Sequence, residues 1–149
     1  LSETTASRAI VVERTLPYPT ETIWRALTDP ALIARWLMPN DFAPVAGHKF
    51  RFRSRPMGDW DGVVDCEVLE IEPHRILRYS WEGGAKTNPK YGARLESTVT
   101  WTLTPVAGGT LVRMVHDGFG PGNDAAYDAM RPGWSRILDR IGEIVASLA

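Results

Sequence analysis

Residues 123–148 constrain this chain more than any other stretch. Met130, Trp134, Ile137, Ile141, Val145 and Leu148 recur every three or four positions, so the segment reads as one long helix with an apolar face. At about 1.5 Å per residue it spans roughly 37 Å. A ten-residue strand at about 3.3 Å per residue spans roughly 33 Å. A helix of that reach can lie along a whole sheet, and what precedes it reads almost entirely as strands. The expected architecture is therefore a curved sheet wrapped around a C-terminal helix, with room for a cavity between them.

The strand readings rest on period-two alternation. Residues 9–16 form a first strand, stopped by Pro17, Tyr18 and Pro19. Thr20 is placed to cap a short helix through Trp24 and Leu27. Asp29 is placed to cap a second, with Pro30 at its first position, running to about Trp36. From Gly47 the pattern changes: Phe50 and Phe52 fall on one side, and Arg51, Arg53 and Arg55 on the other. Loops are expected at 39–47, 56–62 and 83–92. Further strands are expected at 63–72, 76–82, 96–105 and 110–116, with turns at Pro73-His74 and 107–109. The order is strand, two short helices, five strands, long helix. That is an α+β chain with a six-stranded antiparallel sheet. Residues 1–149 are expected to form a single domain, because 149 residues with 44% apolar content can build one sizeable core.

Composition excludes several classes. A net charge of −1 with scattered basic residues gives no nucleic-acid footprint. No apolar run approaches the roughly 18 residues of a membrane span. The single cysteine, Cys66, cannot form an internal disulfide, and residues 1–7 carry no signal-peptide core, so a cytoplasmic location is expected. His48, His74 and His116 show no ligand spacing, so neither a metal nor a cofactor is expected. There is no nucleophile elbow, P-loop or dinucleotide fingerprint.

Six tryptophans are many for a chain of this length and can line a cavity as well as fill a core. Trp36, Phe52, Tyr79, Trp81, Trp101, His116, Tyr127, Met130 and Trp134, together with Trp60, form the apolar constellation on which a ligand would rest. His116 shares an inward face with Val112 and Met114 and is the one weak catalytic candidate. A satisfied buried histidine is the blander alternative. Asp117 points to the opposite face and gives it no dyad. Glu70 or Glu96 would become a general acid if it faced the cavity. A bulge in the strand of Glu70 would reverse its face, and a solvated carboxylate is the safer reading. The arginine row reads as a solvated outer face before it reads as an anion site.

Several landmarks resemble a known group. Pro19-Thr20-Glu21-Thr22-Ile23-Trp24-Arg25-Ala26-Leu27-Thr28-Asp29-Pro30, followed by Leu32 and Trp36, resembles the opening signature of the SRPBCC superfamily. This is the START-like, birch-pollen-allergen-like helix-grip group. Gly47 with Phe50 and Arg51, the stretch 73–81, Gly109-Thr110, His116-Asp117-Gly118-Phe119 and Gly133-Trp134 are most similar to homologues of the activator of a heat-shock-chaperone ATPase. The resemblance implies a helix-grip fold that commonly keeps a void between sheet and helix. The implied function is binding of a small hydrophobic or amphipathic molecule. Two alternatives are a cyclase- or hydratase-like enzyme using the same cavity, and a stress-related co-chaperone-like module with a chaperone partner. A homodimer is compatible with the sequence, which shows no seam. One departure stands out: Pro132 falls inside the long helix, where a bend near residues 129–132 or a break into two helices is expected. A gate at the cavity mouth is the functional reading of that proline.

Overall fold

The computed structural model describes residues 8–56, 62–88 and 92–148. The elements run β1 (Arg8–Leu16), α1 (Thr20–Thr28), α2 (Pro30–Trp36), β2 (Lys49–Arg53), β3 (Val63–Glu72), β4 (Ile76–Asn88), β5 (Gly92–Val106), β6 (Gly109–Phe119) and α3 (Asp124–Leu148). The six strands form one sheet in the order β1-β6-β5-β4-β3-β2, antiparallel throughout. Hairpins link β2 through β6, so consecutive strands pair. β1 closes on β6 from the far end of the chain. The expected α+β helix-grip architecture is the one observed.

Alternation decides which face each strand buries. Phe50 and Phe52 on β2, Val64, Cys66 and Val68 on β3, and Leu77, Tyr79 and Trp81 on β4 all point inward. Leu95, Val99, Trp101 and Leu103 on β5 and Val112, Met114 and His116 on β6 continue that wall. The pairing of β3 with β4 shifts register between Val68 and Glu70. The extra residue turns Leu69 and Glu70 outward, where Glu70 meets Arg78 at 3.4 Å. Glu96 is likewise exposed. Neither carboxylate faces the interior, so neither serves as the general acid that an inward position would have made it.

α3 lays Ala126, Trp134, Leu138, Ile141, Ile144 and Val145 against the sheet. The buried stripe is wider than the expected one, because a helix seated in a concave sheet touches it over more than a single seam. β1 fastens to it from the side: Arg14 donates to the Ser135 hydroxyl at 2.7 Å, and Arg8 pairs with Asp124. The helix continues unbroken through Pro132, so the expected split into two helices does not occur.

The short helices close the remaining end. Asp29 caps α2 as expected, its carboxylate accepting the Ala31 N–H at 2.9 Å. Thr20 does not cap α1. Pro19 occupies the cap position with extended ψ, and the Thr20 hydroxyl donates to Glu21 instead, at 2.9 Å. The Trp36 indole N–H reaches back to the Ala26 carbonyl at 2.9 Å and locks α2 onto α1. The expected loop at 83–92 is shorter than its glycines suggested, since β4 continues to Asn88 and β5 begins at Gly92. The tip of that hairpin and most of the 56–62 loop, Trp60 included, lie outside the described residues.

Candidate functional site

Beneath the N-terminal half of α3, β5 and β6 each deliver one polar side chain, and β4 a backbone carbonyl, into apolar surroundings. His116 comes from β6 and is fully buried. Trp81 on β4, Phe119 at the end of β6 and Trp134 on α3 surround its ring, with centroids 5.4, 4.7 and 5.7 Å away. Ser97, opposite Trp81 in the β4–β5 ladder, supplies the second polar side chain. The alternation that places Val99, Trp101 and Leu103 inward extends back to Ser97, so its inward position was legible. Nothing marked it as a partner of His116.

The hydrogen bonds fix a direction. An indole nitrogen can only donate. Trp134 Nε1–H therefore donates to His116 Nδ1, at 3.0 Å, and Nδ1 carries no hydrogen. His116 Nε2–H donates to Ser97 Oγ at 2.7 Å, and the Ser97 hydroxyl donates to the Trp81 carbonyl at 2.9 Å. Every polar hydrogen in this relay, from the Trp134 indole to the Trp81 carbonyl, is used and both ring nitrogens are occupied. Burial pulls the His116 pKa down from 6.5 to about 3, so the ring is neutral at physiological pH. Asp117 is exposed on the opposite face, as alternation required. The arrangement orients a neutral imidazole firmly and, among the described residues, offers it no carboxylate for proton transfer.

The other residues singled out in the sequence join the same interior. Trp134 lies 5.7 Å from Trp81 and 6.0 Å from Trp101, and Trp101 lies 5.5 Å from Trp36. Phe52 reaches Trp81 at 5.4 Å and Tyr79 at 6.3 Å. Trp101 Nε1–H donates to the Tyr79 hydroxyl oxygen at 3.0 Å. Tyr127 and Met130 on α3 are half-buried at the edge of this set. Tyr127 packs 5.4 Å from Phe119, under the Arg8 guanidinium at 4.1 Å. Sequence reasoning did not include Phe50, which stands 5.5 Å from Tyr79. It also left Phe119 out of the set, although Phe119 touches both His116 and Tyr127.

The arginine row has a separate environment. Arg51 pairs with Asp65 at 2.7 Å on the outer face of the sheet. There an open groove of about 650 Å³ mixes Lys49, Arg51 and Arg53 with Asp41, Asp65, Glu67 and Glu82. Among the described residues no group of His, Cys, Asp and Glu side chains could hold a metal ion, and no helix is long and apolar enough to cross a membrane.

A six-stranded antiparallel sheet gripping a long terminal helix, with two short helices between its first two strands, is the helix-grip fold. Residues 17–146 match the family described as Activator of Hsp90 ATPase homolog 1-like protein, and this chain belongs to that family. Protein MLL2253 from Mesorhizobium loti is similar in sequence and structure, with 42% identity and a TM-score of 0.85 over 95% of this chain and 99% of that one. DynU16, from the dynemicin biosynthetic locus, is similar at 27% identity and TM-score 0.71 over 93% of this chain. This chain spans only 47% of DynU16. The Aha1 dimer from Colwellia psychrerythraea shares the fold, with TM-score 0.72 at 19% identity over 93% of this chain and 96% of that one. A comparison with curated proteins returns no match.

Proposed function

We propose that this chain binds a small hydrophobic or amphipathic molecule between the sheet and α3, as a single domain working in the cytoplasm. The observation that carries the reading is the connected aromatic interior around the fixed His116–Ser97 chain. Binding sites for small molecules combine mostly apolar walls with a few oriented polar groups, and this interior has that composition. Trp36, Phe52, Trp81, Trp101 and Trp134 are the proposed walls. Tyr127 and Met130, half-exposed on α3, are the proposed entrance. Affinity would come from apolar burial, about 25 cal/mol per Å² before ordering costs.

The test is a thermal-shift screen of lipids, polyketides and aromatic compounds. A ligand at a hundredfold excess over its Kd stabilises the fold by about 2.7 kcal/mol. Hits should disappear in Trp81→Ala and Trp134→Ala. A screen without hits, or hits that survive both substitutions, would overturn the reading.

Family membership favours a second reading, in which the chain engages a heat-shock chaperone. The ATPase rate of that chaperone with and without this chain decides it: an unchanged rate removes the reading. A cyclase-like activity has weaker support, because His116 has no carboxylate beside it among the described residues and its basic nitrogen is already occupied by Trp134.

A further inference from the structure

Two buried side-chain donors in the interior meet no acceptor among the described residues. Tyr79 is 3% exposed, and its oxygen accepts from Trp101 Nε1–H. Its own hydroxyl hydrogen meets no acceptor among the described residues. Two positions along the same inward face of β4, the Trp81 indole N–H is in the same situation, with the residue 4% exposed. Buried polar groups are almost always paired, and a donor without a protein partner calls for an acceptor that a bound water or a ligand oxygen supplies. Both residues sit on one strand, their Cα atoms about 7 Å apart at the usual rise, and both side chains enter the interior already proposed to take a ligand.

Charge narrows the chemistry further. The buried polar residues are Ser97, Thr110, His116 and Asn123, with no buried lysine or arginine among the described residues. The Thr110 hydroxyl donates to the Tyr18 carbonyl at 2.8 Å, and Asn123 Oδ1 accepts the Gly120 N–H at 3.1 Å. The neutral imidazole of His116 provides no countercharge. A carboxylate or phosphate entering here would lose its hydration with no cation to replace it.

We propose that the interior is selective for neutral apolar molecules bearing carbonyl-type acceptor oxygens, with the Tyr79 hydroxyl as the recognising donor and the Trp81 indole N–H as a second. The inference rests on the interior-binding reading and adds a ligand class to it. Tyr79 is the specificity-determining residue: it discriminates by the hydrogen bond that a pure hydrocarbon leaves unmade.

Three probes test this by titration against the wild-type chain and Tyr79→Phe. They are acetonaphthone, its hydrocarbon isostere isopropenylnaphthalene, and the anion naphthoate. Wild type should bind the ketone about tenfold more tightly than the hydrocarbon and bind naphthoate most weakly. Tyr79→Phe should close the gap between ketone and hydrocarbon. A second measurement needs no variant. The Trp101 indole proton, observed by NMR, should shift downfield further with the ketone than with the hydrocarbon, because a hydroxyl that donates becomes a stronger acceptor. Equal binding of ketone and hydrocarbon to wild type, or a gap that survives in Tyr79→Phe, overturns this inference and leaves interior binding standing. Naphthoate binding best overturns the neutrality argument. If no probe binds, this inference and the binding reading both fall.

Discussion

Acid should unfold this protein partly through one histidine. His116 titrates at about 3 in the folded state because it is buried, against 6.5 for an ordinary imidazole. Between those two values the unfolded chain binds a proton that the folded chain refuses. Stability is therefore unaffected by His116 above pH 6.5, falls as pH drops through the window, and levels off below about pH 3. The slope is about 1.4 kcal/mol per pH unit, so by pH 4.5 the loss reaches about 3 kcal/mol. No carboxylate among the described residues touches the ring to offset this, since its contacts there are Ser97, Trp81, Phe119 and Trp134. Urea unfolding at intervals from pH 7.5 to 4.5, on wild type and His116→Gln, isolates the effect. Carboxylates such as Glu72, held low by Arg75, contribute equally to both chains and cancel. The wild-type curve should fall away from the variant's curve below pH 6.5, and the imidazole protons of folded His116 should not titrate above pH 4.5. Parallel curves, or a folded His116 titrating near 6.5, would refute the buried neutral assignment.

Other consequences follow from single contacts. Asp29→Ala removes the cap of α2 and should cost about 1 kcal/mol in chemical denaturation, while Thr20→Ala, which removes no cap, should cost less. Gly109→Ala would place a Cβ 2.0 Å from the Leu16 carbonyl oxygen, so the β1–β6 pairing must shift and the melting temperature should fall by several degrees. Cys66 is buried, and burial pushes its thiol well above the usual range. It should resist a thiol reagent at pH 8 in the native state and react fully once the chain is unfolded in urea.

The parts of the fold that follow from side-chain period are legible in the sequence itself. The stripe on α3, the alternation around Trp101 and the Asp29-Pro30 break each report a local preference that packing reinforces. The aromatic set was readable for the same reason, since inward positions on neighbouring strands must meet. Three things were not. The length of β4 was hidden because its glycines resemble a loop, and pairing with β5 overrides that signal. The outward turn of Glu70 depends on a bulge, which the strand pattern allows at several positions. The partners of His116 come from β5 and α3, residues 19 and 18 positions away, and depend on how strand and helix register against each other. Local sequence carries no record of that registration.

Pro132 shows how position decides the effect of a residue that breaks local rules. A proline inside a helix costs about 3 kcal/mol because it removes one hydrogen bond and crowds the carbonyl four residues earlier. Here that carbonyl belongs to Asp128. Asp128, Ala129, Arg131 and Pro132 are all exposed, while Ala126 and Trp134 face the sheet. The freed carbonyl thus lies on the solvent side, where water can satisfy it and where a helix wrapping a core is expected to open. The defect leaves the buried stripe intact, which explains why α3 remains one helix. Proline also narrows the unfolded ensemble, which returns up to about 1 kcal/mol. Pro132→Ala should therefore stabilise the fold by about 2 kcal/mol, read as a raised midpoint in urea. It should leave the Trp134 to His116 bond unchanged, read from the Trp134 indole proton by NMR. A destabilised variant, or a displaced Trp134 signal, would mean that the proline shapes the helix where it covers the interior, and the gating reading would then take precedence over local accommodation.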